Sequence, residues 1–313
     1  MEQHREVVII GSGPAGYTAG IYSGRAGNKP LIITGMEFGG QITKSFDLEN
    51  YPGFTEKIDG LYLTEQMRKQ AEIFGAEVLA DTVIEVDFSK RPFTIKCEND
   101  NVITADAVII ATGASYRKIG LANEAKLTGH GVSYCATCDG FFFRDKEVFV
   151  VGGGNTAVYE ALHLSTLCKK VTIIHRRNHF TAEQINQKHL FETPNISIMW
   201  NSTLDEIVED AEGKKVAGVK IKNTQSGEIT SYDTDGIFIA IGNQPNTDVF
   251  KGQIELDDSG YIKTKPNLCA TNIDGVFAAG DVKNPNFKQV VIAAASGAQA
   301  SMEADKYILS TKE

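Results

Sequence analysis

One arrangement occurs twice in this chain of 313 residues and fixes what it can fold into. Val7-Val8-Ile9-Ile10 runs into Gly11-Ser12-Gly13-Pro14-Ala15-Gly16, and Val148-Phe149-Val150-Val151 runs into Gly152-Gly153-Gly154-Asn155-Thr156-Ala157. A short wholly apolar run predicts a buried parallel strand, and the glycine pattern after it predicts a tight turn into a helix. A single G-x-G-x-x-G is weak evidence. Here each turn is followed further on by a matching apolar strand ending in small residues, Asp106 to Gly113 and Asp235 to Gly242. The unit has been used twice.

Between these landmarks lie alternating segments with turn signals: Val78 to Val86, Phe93 to Cys97 and Val102 to Thr104, then Thr203 to Val208, Val216 to Ile221 and Ile229 to Tyr232. They predict β-meanders covering each parallel sheet. The fold class is therefore α/β, with two Rossmann-like dinucleotide-binding domains of the three-layer ββα type. A last buried strand, Gly275 to Asp281, and an Ala-rich helix from about Gln289 to Leu309 have no glycine turn of their own. They most simply return to complete the first domain. This predicts a first domain of residues 1–115 plus 245–313 and an inserted second domain of residues 116–244, with hinges near Ala114 to Lys118 and Gly242 to Asn246.

Composition narrows the class. Hydrophobic residues at 42% and charged residues at 23% are ordinary for a globular protein, and no apolar run approaches the ~18 residues of a membrane helix. The net charge of -9 argues against a nucleic-acid surface, which needs clustered Lys and Arg. Met1 to Gly11 mixes Glu2, His4, Arg5 and Glu6 before a four-residue apolar run, Val7 to Ile10, that is too short for a secretory signal, so this segment is expected to be the start of a fold. Five cysteines, an odd number, argue against a disulfide framework as the organising device and point to a reducing, cytoplasmic setting.

The two turns differ in the residue that follows the next strand. After Leu31-Ile32-Ile33 comes Glu37, a carboxylate suited to ribose hydroxyls, as an adenosine without extra phosphate requires in FAD or NAD. After Val171 to Ile174 come His175-Arg176-Arg177, two guanidiniums suited to a 2′-phosphate, which predicts NADP(H). Cys135-Ala136-Thr137-Cys138 is either half a zinc site or a redox dithiol. Zinc needs four ligands, and Cys97, Cys168 and Cys269 are single and scattered; these three read as buried thiols. Asp139 beside the pair reads as a proton carrier if buried, or as a plain turn residue before Gly140. Trp200 reads as a packing residue, and Lys169 with Lys170 as a solvated pair at a helix end. No metal site is expected.

In the order GSGPAG (11–16), TGMEFGGQ (34–41), ENYPG (49–53), ATG (111–113), CATCDG (135–140), GGGNTA (152–157), HRR (175–177) and FAAGD (277–281), the chain resembles the low-molecular-weight bacterial-type thioredoxin reductases over essentially its whole length. CATCDG is the most specific of these. The resemblance implies that NADPH reduces FAD, FAD reduces a Cys135–Cys138 disulfide, and the dithiol reduces thioredoxin. It implies that Cys135 attacks thioredoxin, Cys138 exchanges electrons with the flavin, and Asp139 donates and accepts the proton. Gly11, Ser12, Gly13, Pro14, Ala15, Gly16, Glu37, Gly40, Gln41 and Asn50 resemble FAD contacts, as do Val83, Thr112, Gly113, Asp281, Gln289 and Val290. Gly154, Asn155, Thr156, His175, Arg176 and Arg177 resemble NADPH contacts. Phe141 and Phe142 resemble the surface that receives thioredoxin, or else ordinary strand packing. A homodimer is typical of the family.

Cys138 lies 14 residues before Gly152, so dithiol and nicotinamide ride on one domain while FAD belongs to the other. Both need the same flavin ring, which predicts rotation about the hinges between half-reactions. Three departures from the family pattern matter: Thr181 where an Arg is usual, which removes a phosphate partner; Tyr159 where a Glu is usual, near the nicotinamide; and Lys288, before Gln289, in place of an Arg. A lost guanidinium contact is worth ~1.5–3 kcal/mol, so weaker NADPH binding is expected with selectivity over NADH retained. The alternatives are a flavin disulfide reductase of the same fold with another donor, such as ferredoxin, or another acceptor, and a non-catalytic FAD/dithiol sensor.

Overall fold

The computed structural model describes residues 2–45 and 48–312. The chain divides into two compact units, Met1–Ser115 with Gln244–Glu313, and Tyr116–Asn243. Each has its own parallel sheet.

The first unit opens with β1 (Glu2–Ile10), α1 (Pro14–Arg25), β2 (Leu31–Ile33), α2 (Gly60–Ile73) and β3 (Glu77–Leu79), giving the parallel order β3-β2-β1. The antiparallel β4 (Val83–Asp87), β5 (Phe93–Cys97) and β6 (Val102–Ile110) follow, and β7 (Ala114–Tyr116) leads out. β6 serves both arrangements: residues 102–105 pair antiparallel with β5, while the whole strand runs parallel to β1. The meander is thus continuous with the parallel sheet. The expected single strand from Val78 to Val86 is instead two, β3 and β4, with different partners. Asp81 breaks it. Its buried carboxylate accepts the amide of Thr82 at 2.8 Å and the side chain of Asn101 at 2.7 Å, which turns the chain between the two strands.

The second unit contains α3 (Glu124–Leu127), β8 (Val132–Ser133), α4 (Ala136–Asp139), β9 (Glu147–Val151), α5 (Asn155–Ser165), β10 (Lys170–Ile174), α6 (Gln184–Glu192) and β11 (Ile196–Met199). The antiparallel β12 (Ser202–Glu209), β13 (Val216–Asn223) and β14 (Ile229–Asp233) follow, then β15 (Gly236–Ile239) and β16 (Asn243–Pro245). Its parallel sheet has the order β11-β10-β9-β15-β8, and β12-β13-β14 form a separate sheet. Back in the first unit, β17 (Val276–Ala278) pairs parallel with β6, and α7 (Val290–Thr311) closes the chain. Lys169 and Lys170 are not a helix-end pair: α5 stops at Ser165, Lys170 opens β10, and Lys169 is paired with Glu147 at 2.8 Å.

Alternation along the strands divides each core in two. Val7 and Ile9 face α1, α2 and α7, whereas Val8 and Ile10 face the meander with Phe93 and Ile95. In the second unit Val148 and Val150 pack on α5 and α6, and Phe149 and Val151 pack on β12 and β13. A strand apolar at every position is what two covered faces require. Each such side chain contributes roughly 1.5–3 kcal/mol when fully buried. Cys97, Cys168 and Cys269 are free thiols buried in these layers.

Candidate active site

The first glycine turn is closed by sterics. Gly11 has φ +116°, and a Cβ there would overlap the carbonyl of Ala111; a Cβ on Gly16 would overlap the carbonyl of Gly11. Helix α1 therefore sits hard against β1. Its cap residue, Gly13, offers no side chain, so the first-turn amides have no capping group. The ordinary alternative is seen in α2, where Asp59 accepts the Tyr62 amide at 2.6 Å. An uncapped N-terminus beside a backbone with no Cβ suits a pyrophosphate. The Ser12 hydroxyl is turned inward, donating to Thr34 O at 3.0 Å and accepting from Gly39 N at 3.2 Å. It ties Gly39 and Gly40 to the turn, and a Cβ on Gly40 would lie 3.2 Å from Gly13 Cα.

Glu37 is held from two sides, by Lys44 Nζ at 2.7 Å and Gln41 Nε2 at 3.3 Å. Asn50 Nδ2 donates to Gln289 Oε1 at 3.4 Å, although 239 positions separate them, and Val290 begins α7 immediately after. Thr112 and Asn246 bond reciprocally at 2.7 and 2.8 Å, with Gly113 at φ +68° beside them. Asp281 lies beyond the carboxyl end of β17, where α/β sheets bind ligands. Burial pushes its carboxyl up to about 6, against the pull of the Lys288 ammonium. Val83 is different: it is a buried core residue at the start of β4, packed in the layer with Val86 and Phe93.

At the second turn a Cβ on Gly152 would lie 2.7 Å from the Ala157 Cβ, and one on Gly153 would strike the His175 ring. Helix α5 is likewise uncapped, with Gly154 at its cap position. His175 is buried, with Nε2 2.9 Å from His179 O, and burial pushes its ring pKa down despite that bond. It is a neutral packing piece. It packs at a tilt against Phe180 and edge-on against Trp200, whose rings are 4.5 Å apart, so the expectation for Trp200 holds. Arg176 and Arg177 are exposed, and among the described residues neither has a carboxylate partner. The loop after them is tied back to the turn: Thr181 N and Oγ1 both donate to Gly153 O, and Glu183 N donates to Asn155 Oδ1 at 2.8 Å.

Cys135 and Cys138 form a disulfide across helix α4, with Cα atoms 5.3 Å apart. The Cys138 and Asp139 amides both donate to the Cys135 carbonyl, at 3.3 and 3.0 Å, which closes the small helix. Two residues not anticipated from the sequence complete the cluster. Ser133, at the end of β8, donates from its hydroxyl to Asp139 Oδ2 at 2.6 Å and accepts the Cys135 amide at 3.1 Å. Glu160 of α5 is only 8% exposed, and its carboxyl accepts the Ala136 amide. Burial, with the Asp139 charge adding to it, pushes that carboxyl up to about 8. Ser133 left no signal, being one small hydroxyl among many. Glu160 did leave one: it stands three residues after Ala157 and four before Leu164, on the apolar stripe of its helix.

Phe141 and Phe142 lie in the 3-10 turn Gly140–Phe143, not in a strand. Phe141 is 57% exposed, with the Arg144 guanidinium 5.3 Å over its ring.

Residues 5–297 match the family described as pyridine nucleotide-disulphide oxidoreductase. A thioredoxin reductase of Rickettsia prowazekii is 51% identical over 303 residues, spanning 97% of this chain and 98% of that one. The chain belongs to the thioredoxin reductases of this family. Among solved structures, thioredoxin reductase from Giardia duodenalis superposes with a TM-score of 0.92 at 40% identity, covering 98% of this chain and 99% of that one. The enzyme from Streptococcus pyogenes gives the same TM-score of 0.92 at 38% identity, with 98% and 99% coverage. Among the described residues of this thioredoxin reductase family member, no helix is long and apolar enough to cross a membrane, and no cluster of His, Cys, Asp and Glu could hold a metal ion.

Proposed function

We propose that the chain catalyses NADPH + H+ + thioredoxin disulfide → NADP+ + thioredoxin dithiol, the first unit holding FAD and the second holding NADPH and the dithiol. The observation that carries this reading is the Cys135–Cys138 disulfide with a hydrogen-bonded carboxyl beside it, on the same unit as a glycine turn edged by the exposed guanidiniums of Arg176 and Arg177. The uncapped start of α1, with Gly11 to Gly16, Gly40 and Glu37, fits the adenosine and pyrophosphate of FAD. Gln41, Asn50, Thr112, Gly113, Asp281, Gln289 and Val290 are assigned to the rest of it, whereas the Val83 side chain belongs to the core layer. The uncapped start of α5, with Gly154, Asn155 and Thr156, fits the pyrophosphate of NADPH, His175 braces the turn, and Arg176 with Arg177 fit its 2′-phosphate. Bound there, the nicotinamide supplies a hydride and the flavin passes electrons in pairs to a disulfide.

The chain's own residues do the rest. Once reduced, Cys135 as thiolate attacks one sulfur of the thioredoxin disulfide and releases the other as a thiolate. Cys138 then attacks Cys135 Sγ, freeing reduced thioredoxin and restoring the Cys135–Cys138 bond. Asp139, held by the Ser133 hydroxyl, carries the proton that these thiolates exchange. The exposed Phe141 offers the incoming protein an apolar face. Because dithiol and nicotinamide share one unit, the reading includes rotation of that unit between half-reactions. It also includes a cytoplasmic homodimer that binds neither nucleic acid nor membrane.

Anaerobic mixing tests this directly. NADPH should bleach a yellow flavin spectrum quickly and NADH slowly, and catalytic protein should then reduce thioredoxin. Bleaching by neither nucleotide would overturn the donor assignment and point to a ferredoxin-like donor. Bleaching without reduction of any protein disulfide would favour the sensor. A cross-link fixing the two units should preserve one half-reaction and abolish turnover.

A further inference from the structure

Glu160 has no part in the reading above, yet it is a carboxyl buried in the second unit. It belongs to α5, which packs on α4, and its carboxyl accepts the Ala136 amide, the first amide of the dithiol helix. Its Oε2 is buried and has no hydrogen-bond partner. Three residues along α4 from Ala136 stands Asp139, which receives the Ser133 hydroxyl. The cluster therefore holds two carboxyls in opposite surroundings, one supplied with a hydroxyl donor and one with an oxygen left dry. Environments that separate two carboxyls in this way separate their roles.

We infer that Glu160 is a positioning residue of the dithiol centre, whose buried carboxyl anchors the Ala136 amide at the start of the dithiol helix and sets the charge that the cluster around Asp139 carries. The inference rests on reading Cys135 and Cys138 as the redox pair. Among the described residues, the charged group that acts on Glu160 from α4 is Asp139. The other charges on elements packed against α5, Glu147, Lys170, Lys188, His189 and Glu192, lie at partly or fully exposed positions. Burial keeps the Glu160 proton in place up to about 8. Above that pH a negative charge arises against the start of the dithiol helix and opposes formation of the Cys135 thiolate.

The test compares the full-length wild type with Glu160→Gln, which preserves size and the acceptor for Ala136 N–H but cannot ionise. Both are reduced with dithiothreitol, and the rate of Cys135 alkylation by iodoacetamide is followed from pH 6 to 10 by mass spectrometry. The expected result is coincident rates at low pH, with the midpoint in E160Q shifted down by about half to one pH unit. A purely structural role moves neither midpoint, so superimposable profiles would overturn the inference. A disulfide that dithiothreitol leaves intact in both proteins would overturn the redox reading itself, and the inference with it. If E160Q folds poorly, Glu160→Asp serves as second variant, with its carboxyl drawn back from the Ala136 amide by one methylene: a shifted alkylation midpoint supports the inference, and a profile superimposable on the wild type overturns it.

Discussion

Two donors of Thr181 converge on one acceptor: its amide lies 2.8 Å and its hydroxyl 3.2 Å from the carbonyl oxygen of Gly153. The loop after the two guanidiniums is thereby fastened to the glycine turn through a residue that stands where the family usually has Arg. Because the amide bond is independent of the side chain, Thr181→Arg should leave the turn in place and add a cation at its edge. A gain of about 1.5 kcal/mol, the lower end for a charged hydrogen bond, is roughly a tenfold fall in KM for NADPH with kcat unchanged. NADH kinetics should not move. Equal effects on both nucleotides would show that the added charge does not reach a 2′-phosphate.

Arg176 and Arg177 have no carboxylate partner among the described residues, so removing either leaves no buried charge behind. Arg176→Ala or Arg177→Ala should cut the preference for NADPH over NADH by roughly ten- to a hundredfold. Trp200, the single tryptophan, packs on His175 and Phe180 next to this edge and gives a direct readout. Titration with 2′,5′-ADP should change its fluorescence in the wild type and require much more ligand in either variant.

The two glycine turns should respond differently to one methyl group. A Cβ on Gly16 would overlap the carbonyl of Gly11, whereas Ala157 already occupies the corresponding place in the second turn. Gly16→Ala should force α1 off β1 and yield protein with little bound flavin, read as visible absorbance per chain. Ala157→Gly should cost only about 1 kcal/mol of helix propensity and keep nucleotide binding. Full flavin content in the first variant would contradict the packing argument.

Ser133→Ala removes the donor to Asp139 and the acceptor for the Cys135 amide together. Rapid-mixing kinetics should show unchanged flavin reduction by NADPH and a five- to thirtyfold slower transfer to thioredoxin, about 1–2 kcal/mol. Slowing of the first step alone would assign Ser133 a different place.

Glu160 also ties stability to pH. Its folded-state pKa lies near 8 against 4.5 for the free side chain, so the folded protein holds the extra proton between these values. Stability must therefore fall as pH rises through that window, and the penalty is complete above about 8. Urea titrations at pH 5 and pH 9 should show Glu160→Gln gaining on the wild type by a few kcal/mol at the higher pH.

Much of the architecture was legible because it is periodic or repeated. The apolar quartets at Val7 and Val148, the glycine spacing after each, and the alternation in β12, β13 and β14 all carry their structure locally. The break between β3 and β4 was not legible, since Asp81 draws on Asn99 and Asn101 from another turn to stop an otherwise continuous strand pattern. In the site, Glu37, Arg176, Cys135 and Cys138 stand out by residue type and spacing. Ser133 and Glu160 do not, because their significance lies in what the tertiary fold places against them. The partnership of Asn50 and Gln289 is likewise a product of chain return, not of any local pattern.

The amide of Arg117 donates to the carbonyl of Gly242 at 3.1 Å, so the second unit begins and ends at one hydrogen bond. Strand neighbours stand about 4.8 Å apart, a gap that a two- or three-residue bridge spans in place of the excised unit. The unit can thus be lifted out of the gene as a cassette, its two ends already adjacent and its layered core self-contained. What remains closes over the cut with little loop entropy to overcome. A chain assembled this way can exchange its nucleotide specificity or its dithiol as a block, without rebuilding the scaffold that carries it.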